Sequence, residues 1–395
     1  MTATFVQEEP AAGGLESAAG TTTSEHAFPG LDGLRAVAAL AVVATHIGFT
    51  TGASVHGHAS TLLARGDIGV AVFFVLSGFL LYRPMVAARL GGRPLPHIGP
   101  YLWRRALRIL PAYWVTVVLV LLLLTEDRPS RNSAGEWVRQ LFLLQTTSPG
   151  HLPNGLSQMW SLSVEVTFYL ALPLWPRLLD RLPGRRTIVR QELLGLVVLS
   201  VISLGWNIVR LRSGWHDGYQ AGYWLPSFFD WFAAGMLLAV ASAAGLRVMT
   251  ELASAPGACW TGAGAVFVIA LTPLAGPYDL ALPGVWDSTL KHLLYGLFAL
   301  LLVLPATAGD QTHGLVRGFL GSRSMRELGV ISFGIFLLHP LLLELIYQVG
   351  DVRYFSGHTL VITAIVLPLS VVAAAVSLRV VERPALRLRR LVPTG

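Results

Sequence analysis

Arg35 and His46 stand eleven positions apart in a stretch, Leu34 to Phe49, that is otherwise apolar. In a helix, eleven steps of about 100° return to nearly the same face after a rise of roughly 16 Å. One face then carries a guanidinium toward one end and an imidazole toward the other. A neutral imidazole is a suitable general base for a hydroxyl, and it can also carry an acyl group briefly. Glu165 closes the segment Trp160-Ser161-Leu162-Ser163-Val164-Glu165, roughly 7 to 8 Å along a helix from Trp160. An unpaired carboxylate in such an apolar run is costly, so Glu165 is expected to partner His46 or Arg35. These three are the catalytic candidates.

A second cluster is Arg104, Arg105 and Arg108, just before Pro111 and Tyr113. Arg105 and Arg108 are three apart, share a helix face and can form a two-pronged phosphate site. Basic residues at a helix end also set orientation. Ser77, in Phe73-Phe74-Val75-Leu76-Ser77-Gly78-Phe79, joins the arginines as a donor-binding candidate, because a Ser-Gly step admits a thin ligand chain or another helix. On the acceptor side the candidates are Asp32, Asp67, Asp230 and His339, the last in Phe336-Leu337-Leu338-His339-Pro340. Asp230 and His339 read equally well as buried hydrogen-bonding groups, and Asp67 as a solvated one. There is no G-x-S-x-G elbow, no H-E-x-x-H pair and no P-loop lysine motif, which argues against a hydrolase or an ATPase. The single cysteine, Cys259, allows no intramolecular disulfide and no cysteine-based metal cluster, and is expected as a core residue; no metal site is expected.

The elements that must hold these groups are membrane spans. Charged residues are 13% of the chain and hydrophobic residues 53%, with a mean hydropathy of +0.60. A water-soluble fold of this size cannot cover its surface with so little charge. The apolar residues are bunched, and the spacing predicts ten spans, at 31–50, 68–86, 107–124, 160–178, 192–209, 225–246, 258–275, 289–305, 328–348 and 359–381. The fold expected is an all-α bundle of about ten transmembrane helices. With the N-terminus inside, the inner stretches hold twenty basic residues and the outer ones eight, which favours both termini in the cytoplasm.

Residues 1–27, rich in Ala, Gly, Ser and Thr with Glu8, Glu9, Glu16 and Glu25, read as a disordered tail rather than a signal peptide. Residues 28–390 form the membrane domain and 391–395 a short tail. The connection 125–159 contains Trp137, Leu141, Phe142 and Leu144, an amphipathic stretch suited to the interface. The net charge of +7 is spread beside helix ends, so no nucleic-acid partner is expected. Lys291 is the sole lysine among the basic residues, which suggests a GC-rich bacterial genome and hence the bacterial cytoplasmic membrane.

Taken together these residues resemble the acyltransferase-3 family of membrane O-acyltransferases over about 30–390. The likeness rests on Leu31-Asp32-Gly33-Leu34-Arg35 followed by His46, on Phe73 to Phe79, on Arg105 with Arg108, and on Trp160 to Glu165. It rests further on Ser332-Phe333-Gly334-Ile335 leading to His339-Pro340, and on Glu382-Arg383-Pro384. The resemblance implies a ten-helix core and transfer of an acyl group, often acetyl from acetyl-CoA, to hydroxyls of sugars, other envelope components or secondary metabolites. Expected partners are therefore membrane lipids, acyl-CoA as co-substrate and a hydroxyl-bearing acceptor such as a sugar or glycolipid. Family members often carry an acidic residue after the Gly-Val step, where this chain has Ala71. Some relatives add an esterase-like domain after the membrane core; here both stages of a two-stage transfer are expected to use the membrane domain or a separate protein. The alternative from another class is a lipid or small-molecule transporter or flippase using the buried charges as a proton relay. It is weakened by the lack of an internal repeat with matching broken helices.

Overall fold

A computed structural model describes residues 28–55, 60–124, 133–147, 152–181, 187–213, 221–277, 284–308, 311 and 313–392. The expected tail at 1–27, parts of the 125–159 connection, and 393–395 of the C-terminal tail lie outside the described residues. All regular structure among the described residues is helical. The helices are α1 (Gly30–Thr51), α2 (Ser60–Ala64), α3 (Ile68–Leu90), α4 (Ile98–Leu123), α5 (Ala134–Leu141), α6 (Met159–Ala171), α7 (Leu174–Asp180) and α8 (Ile188–Arg212). They continue as α9 (Phe229–Ala244), α10 (Arg247–Ser254), α11 (Pro256–Ala270), α12 (Val285–Val303), α13 (Leu315–Leu320), α14 (Arg323–Gly350), α15 (Thr359–Ser377) and α16 (Arg383–Arg387). A π-helical turn, Leu378–Glu382, joins the last two.

Eight helical segments are long and apolar enough to cross a membrane, and a ninth results if α10 and α11, bent by 82°, act together. The protein is thus a multi-pass membrane bundle. The span expected at 160–178 is built as two shorter helices, α6 and α7. They break at Pro173, whose ring removes a backbone donor and disfavours continuation of the preceding turn. The faces turned away from the bundle are apolar, as lipid requires: Val197, Val198 and Val201 of α8 and Val361, Val372 and Val376 of α15 are all exposed.

Helix α3 is the spine, packed between α1, α9 and α12, while α14 packs on α1 and α15. Between helices in lipid there is little hydrophobic driving force, so close backbone approach at small residues supplies the contact. A Cβ on Gly78 of α3 would stand 2.3 Å from the Phe232 carbonyl oxygen, and one on Gly235 of α9 would stand 2.0 Å from that of Val75. Helices α1 and α14 meet the same way, since a Cβ on Gly329 would lie 2.1 Å from the Asp32 carbonyl oxygen. The amphipathic stretch of the long connection is α5, set against α4: Trp114 Nε1 donates to the Leu141 carbonyl at 3.0 Å, and Tyr113 donates to that of Gln140. Val138 and Phe142 are left exposed beside it.

Candidate active site

Five helices enclose a cavity of about 120 Å³. Helix α1 contributes Arg35, α3 contributes Phe73 and Ser77, α4 contributes Arg105 and Arg108, α6 contributes Glu165 and Tyr169, and α14 contributes Ser332 and Phe336. The i, i+3 spacing of Arg105 and Arg108 puts both on the face of α4 that looks into it, while Arg104 is not among the lining residues. No ion pair reaches Arg105 or Arg108 among the described residues, and the Arg105 Nε is buried without a hydrogen-bond acceptor. The two guanidiniums thus face a space that they share with the Glu165 carboxylate and the Ser77, Tyr169 and Ser332 hydroxyls, and cationic groups without an ion pair inside a bundle are costly.

Glu165 is held differently from the expectation. Its carboxylate accepts from the Tyr169 hydroxyl at 2.6 Å, and from the Ser77 hydroxyl. In place of the expected partner, His46 or Arg35, the carboxylate has these two hydroxyls. Tyr169 was not singled out in the sequence, although a tyrosine four residues after a carboxylate lies one helical turn away on the same face. Arg35 lines the cavity and is paired with Asp32 at 2.8 Å, one turn before it.

His46 lies at the other end of the α1 face, outside the cavity lining. Its Nδ1 bonds the Val42 carbonyl at 2.9 Å, and its ring meets that of His339 edge to face, with centroids 4.9 Å apart. His339 is fully buried and repeats the pattern, with Nδ1 on the Ile335 carbonyl at 2.9 Å. A carbonyl only accepts, so both Nδ1 atoms carry the proton, and both Nε2 atoms are left as lone-pair bases. The His339 Nε2 is buried with no hydrogen-bond partner. Phe336 is in contact with both places: it lines the cavity, packs at 6.0 Å on Phe73, and stands 6.3 Å from the His339 ring.

The remaining acceptor-side candidates are engaged elsewhere. Asp67 is paired with Lys291 at 2.8 Å and accepts from the Tyr295 hydroxyl at 2.5 Å, tying α3 to α12. Asp230 of α9 is bonded by Ser203 of α8 at 2.8 Å and by His292 of α12 at 2.8 Å, with Trp231 stacked on the His292 ring at 4.5 Å. Cys259 is a free, buried thiol. A second network sits at the C-terminal end of α3. There buried Arg89 pairs with fully buried Glu192 and, at 2.7 Å, with Asp180, while Tyr82 donates to Glu192 at 2.6 Å.

With this geometry in view, the family model for an acyltransferase domain, acyltransferase-3, matches residues 28–379. The chain is similar to acyltransferase MdmB of Streptomyces mycarofaciens, 27% identical over 386 residues, covering 93% of this chain and 95% of that protein. It is also similar to peptidoglycan O-acetyltransferase OatA of Listeria monocytogenes, 31% identical over 172 residues, covering 40% of this chain and 25% of that protein. For O-acetyltransferase OatA of Staphylococcus aureus the identity is 27% over 194 residues, covering 46% of this chain and 29% of that protein. The match thus spans less than a third of the length of either OatA. No solved structure matches the chain.

Proposed function

From the premise that this chain belongs to the acyltransferase-3 family, we propose that it takes an acyl group, acetyl first of all, from acyl-CoA and delivers it to a hydroxyl of a carbohydrate, glycolipid or secondary metabolite. The observation that carries this reading is the meeting of Arg35, Arg105 and Arg108 at one cavity, with Arg105 and Arg108 unpaired among the described residues. The donor in this reading is an anion at its phosphates, which meet the arginines of the cavity, and its long thioester arm runs on from there toward the histidines. We assign Arg105 and Arg108 to the donor's phosphate oxygens, with Arg104 beyond the cavity and Arg35 helping to position the donor.

His46 is the base in this scheme. Its Nε2 takes the acceptor's hydroxyl proton as that oxygen bonds to the thioester carbonyl carbon. The C–S bond then breaks, and the leaving thiolate takes the proton back from the imidazolium, giving an ester and free CoA. Phe336, in contact with both the cavity and His339, has to turn aside for this encounter. Glu165 then balances the arginine charge and fixes Ser77 and Tyr169 in the wall, a role that replaces the expected orienting of His46. For the acceptor, the support is the similarity to the peptidoglycan O-acetyltransferase of Listeria monocytogenes and the nearly full-length similarity to an acyltransferase of Streptomyces. In this reading both termini are cytoplasmic, which the bias of basic residues supports, and the membrane is the bacterial cytoplasmic one, for which the single lysine among the basic residues is the support.

The test is a transfer assay with purified protein and acetyl-labelled CoA, following CoA release and ester formation on a glycan acceptor. Wild type is expected to release CoA in step with ester, and His46→Ala to do neither. Turnover undiminished in the variant would overturn the assignment of the base.

A further inference from the structure

A larger cavity, about 930 Å³, opens at the same end of the bundle as the first turn of α1, between α14 and the end of α15. It lies across α14 from the catalytic cavity. Leu328, Val330 and Ile331 line the large groove while Ser332, Phe333 and Phe336 line the small one, and at about 100° per residue the centres of these sets lie roughly 150° apart around the helix.

The groove has two kinds of wall. Arg323, Arg326, Arg379 and Arg383 form a cationic rim with Asp32 and Glu327 as the acidic members. Both carboxylates are already engaged, Asp32 by Arg35 and Glu327 by Arg323, each at 2.8 Å. Arg326, Arg379 and Arg383 therefore face the groove with no ion pair among the described residues. The floor is apolar, made of Val330, Ile331, Val371 and Ala375. Next to it around α15, Leu369 and Val372 are exposed on the face turned to lipid.

We infer that this groove holds an anionic glycerophospholipid, with its phosphate on Arg326, Arg379 and Arg383 and an acyl chain along the Val371 and Ala375 floor. A basic pocket between transmembrane helices at headgroup depth suits that chemistry. A freely soluble anion would have no use for the apolar floor. The acyl-CoA donor fits poorly for a different reason. Its thioester arm would have to pass between α1 and α14 to reach the arginine cavity, and Gly329 packs there directly on the Asp32 backbone. The inference goes beyond the proposed reaction and does not depend on it.

The experiment offers detergent-purified, full-length protein equal amounts of phosphatidylglycerol and phosphatidylcholine of the same chain length, and reads the retained lipid by native mass spectrometry. Wild type is expected to prefer phosphatidylglycerol by at least about fivefold, roughly what one well-placed arginine supplies. The combined variant Arg326→Gln, Arg379→Gln, Arg383→Gln is expected to bring the ratio near one. Ala375→Trp, which leaves every charge in place and fills the floor, is expected to lower retention of both lipids. Arg379→Gln alone serves if the combined variant does not fold, with a partial loss of preference expected. Excess inorganic phosphate should leave the bound phosphatidylglycerol in place, and its displacement would reassign the site to a free anion. The lipid assignment is overturned if wild type shows no preference, if the variants keep it, or if the arginine variants lose acyl-CoA binding while lipid retention is unchanged.

Discussion

His46 and His339 meet ring to ring from α1 and α14, and each turns Nδ1 back onto the carbonyl one turn earlier in its own helix. The two basic nitrogens therefore belong to one place in the bundle, although the residues are 293 positions apart in sequence. If the base works from this place, His46→Ala should lower transfer roughly 100-fold or more, the usual contribution of a positioned base. His339→Ala should lower it less, and without changing the KM for acyl-CoA, since it touches His46 rather than the arginine cavity. Steady-state CoA release for the two variants separates these outcomes. Equal loss from both, with KM raised, would place the histidines at the donor instead.

Arg105→Ala should raise the KM for acyl-CoA about tenfold or more, the scale of a lost hydrogen bond to a charged group. The salt dependence of KM should weaken in parallel, because one screened contact is gone. Arg104→Ala, which changes no cavity-lining residue, should shift KM far less. A KM that ignores Arg105→Ala would sink the phosphate clamp.

Glu165→Ala leaves the Ser77 and Tyr169 hydroxyls without their shared acceptor, costing about 1–3 kcal/mol for each donor left buried and unpaired. Glu165→Gln keeps an acceptor for both. The expected pattern is a lowered unfolding temperature for alanine, a near-normal one for glutamine, and reduced transfer in both. Full transfer by the glutamine variant would show that the charge has no part in the chemistry.

Removing Arg89 should destabilise the fold by about 3–5 kcal/mol, because it leaves the Glu192 carboxylate buried without its cation. Replacing Arg89 and Glu192 together by methionine and leucine should recover much of that loss. Thermal unfolding in detergent, read alongside expression level, distinguishes a structural pair from a surface one.

Gly235→Val should prevent assembly of the α3–α9 crossing, since even a Cβ there would stand 2.0 Å from the Val75 carbonyl oxygen. Gly99→Ala is the matched control, with nothing within 4 Å of the added atom. Size-exclusion profiles of the two should diverge, the first aggregated and the second unchanged.

Much of this arrangement was legible in the residues themselves. Apolar run length gave the membrane bundle, and spacing alone put Arg105 and Arg108 on one face. What periodicity cannot supply is the partner across the bundle. Glu165 and His46 lie at comparable depths counted along their helices, yet depth leaves the angle around the bundle free, and Glu165 turns to Ser77 and Tyr169 instead. Asp67 read as a solvated group, but its cation, Lys291, arrives from 224 residues away. Arg89 counted only toward orientation in the sequence, and its burial depends on Glu192, 103 residues later. A span broken at Pro173 was likewise hidden, because hydropathy averages over a bend that one ring creates.

The glycine crossings divide the cavity wall into unequal halves. Helices α1, α3 and α14 are pinned by backbone contacts at Gly69, Gly78 and Gly329, so none of the three can slide without a carbonyl being struck. Helix α6 contains no glycine, and Gly99, the one in α4, meets nothing. The staves that bear Arg105, Arg108 and Glu165 are thus joined to the others through side chains, as where Ser77 of α3 donates to Glu165, and not by backbone set against backbone.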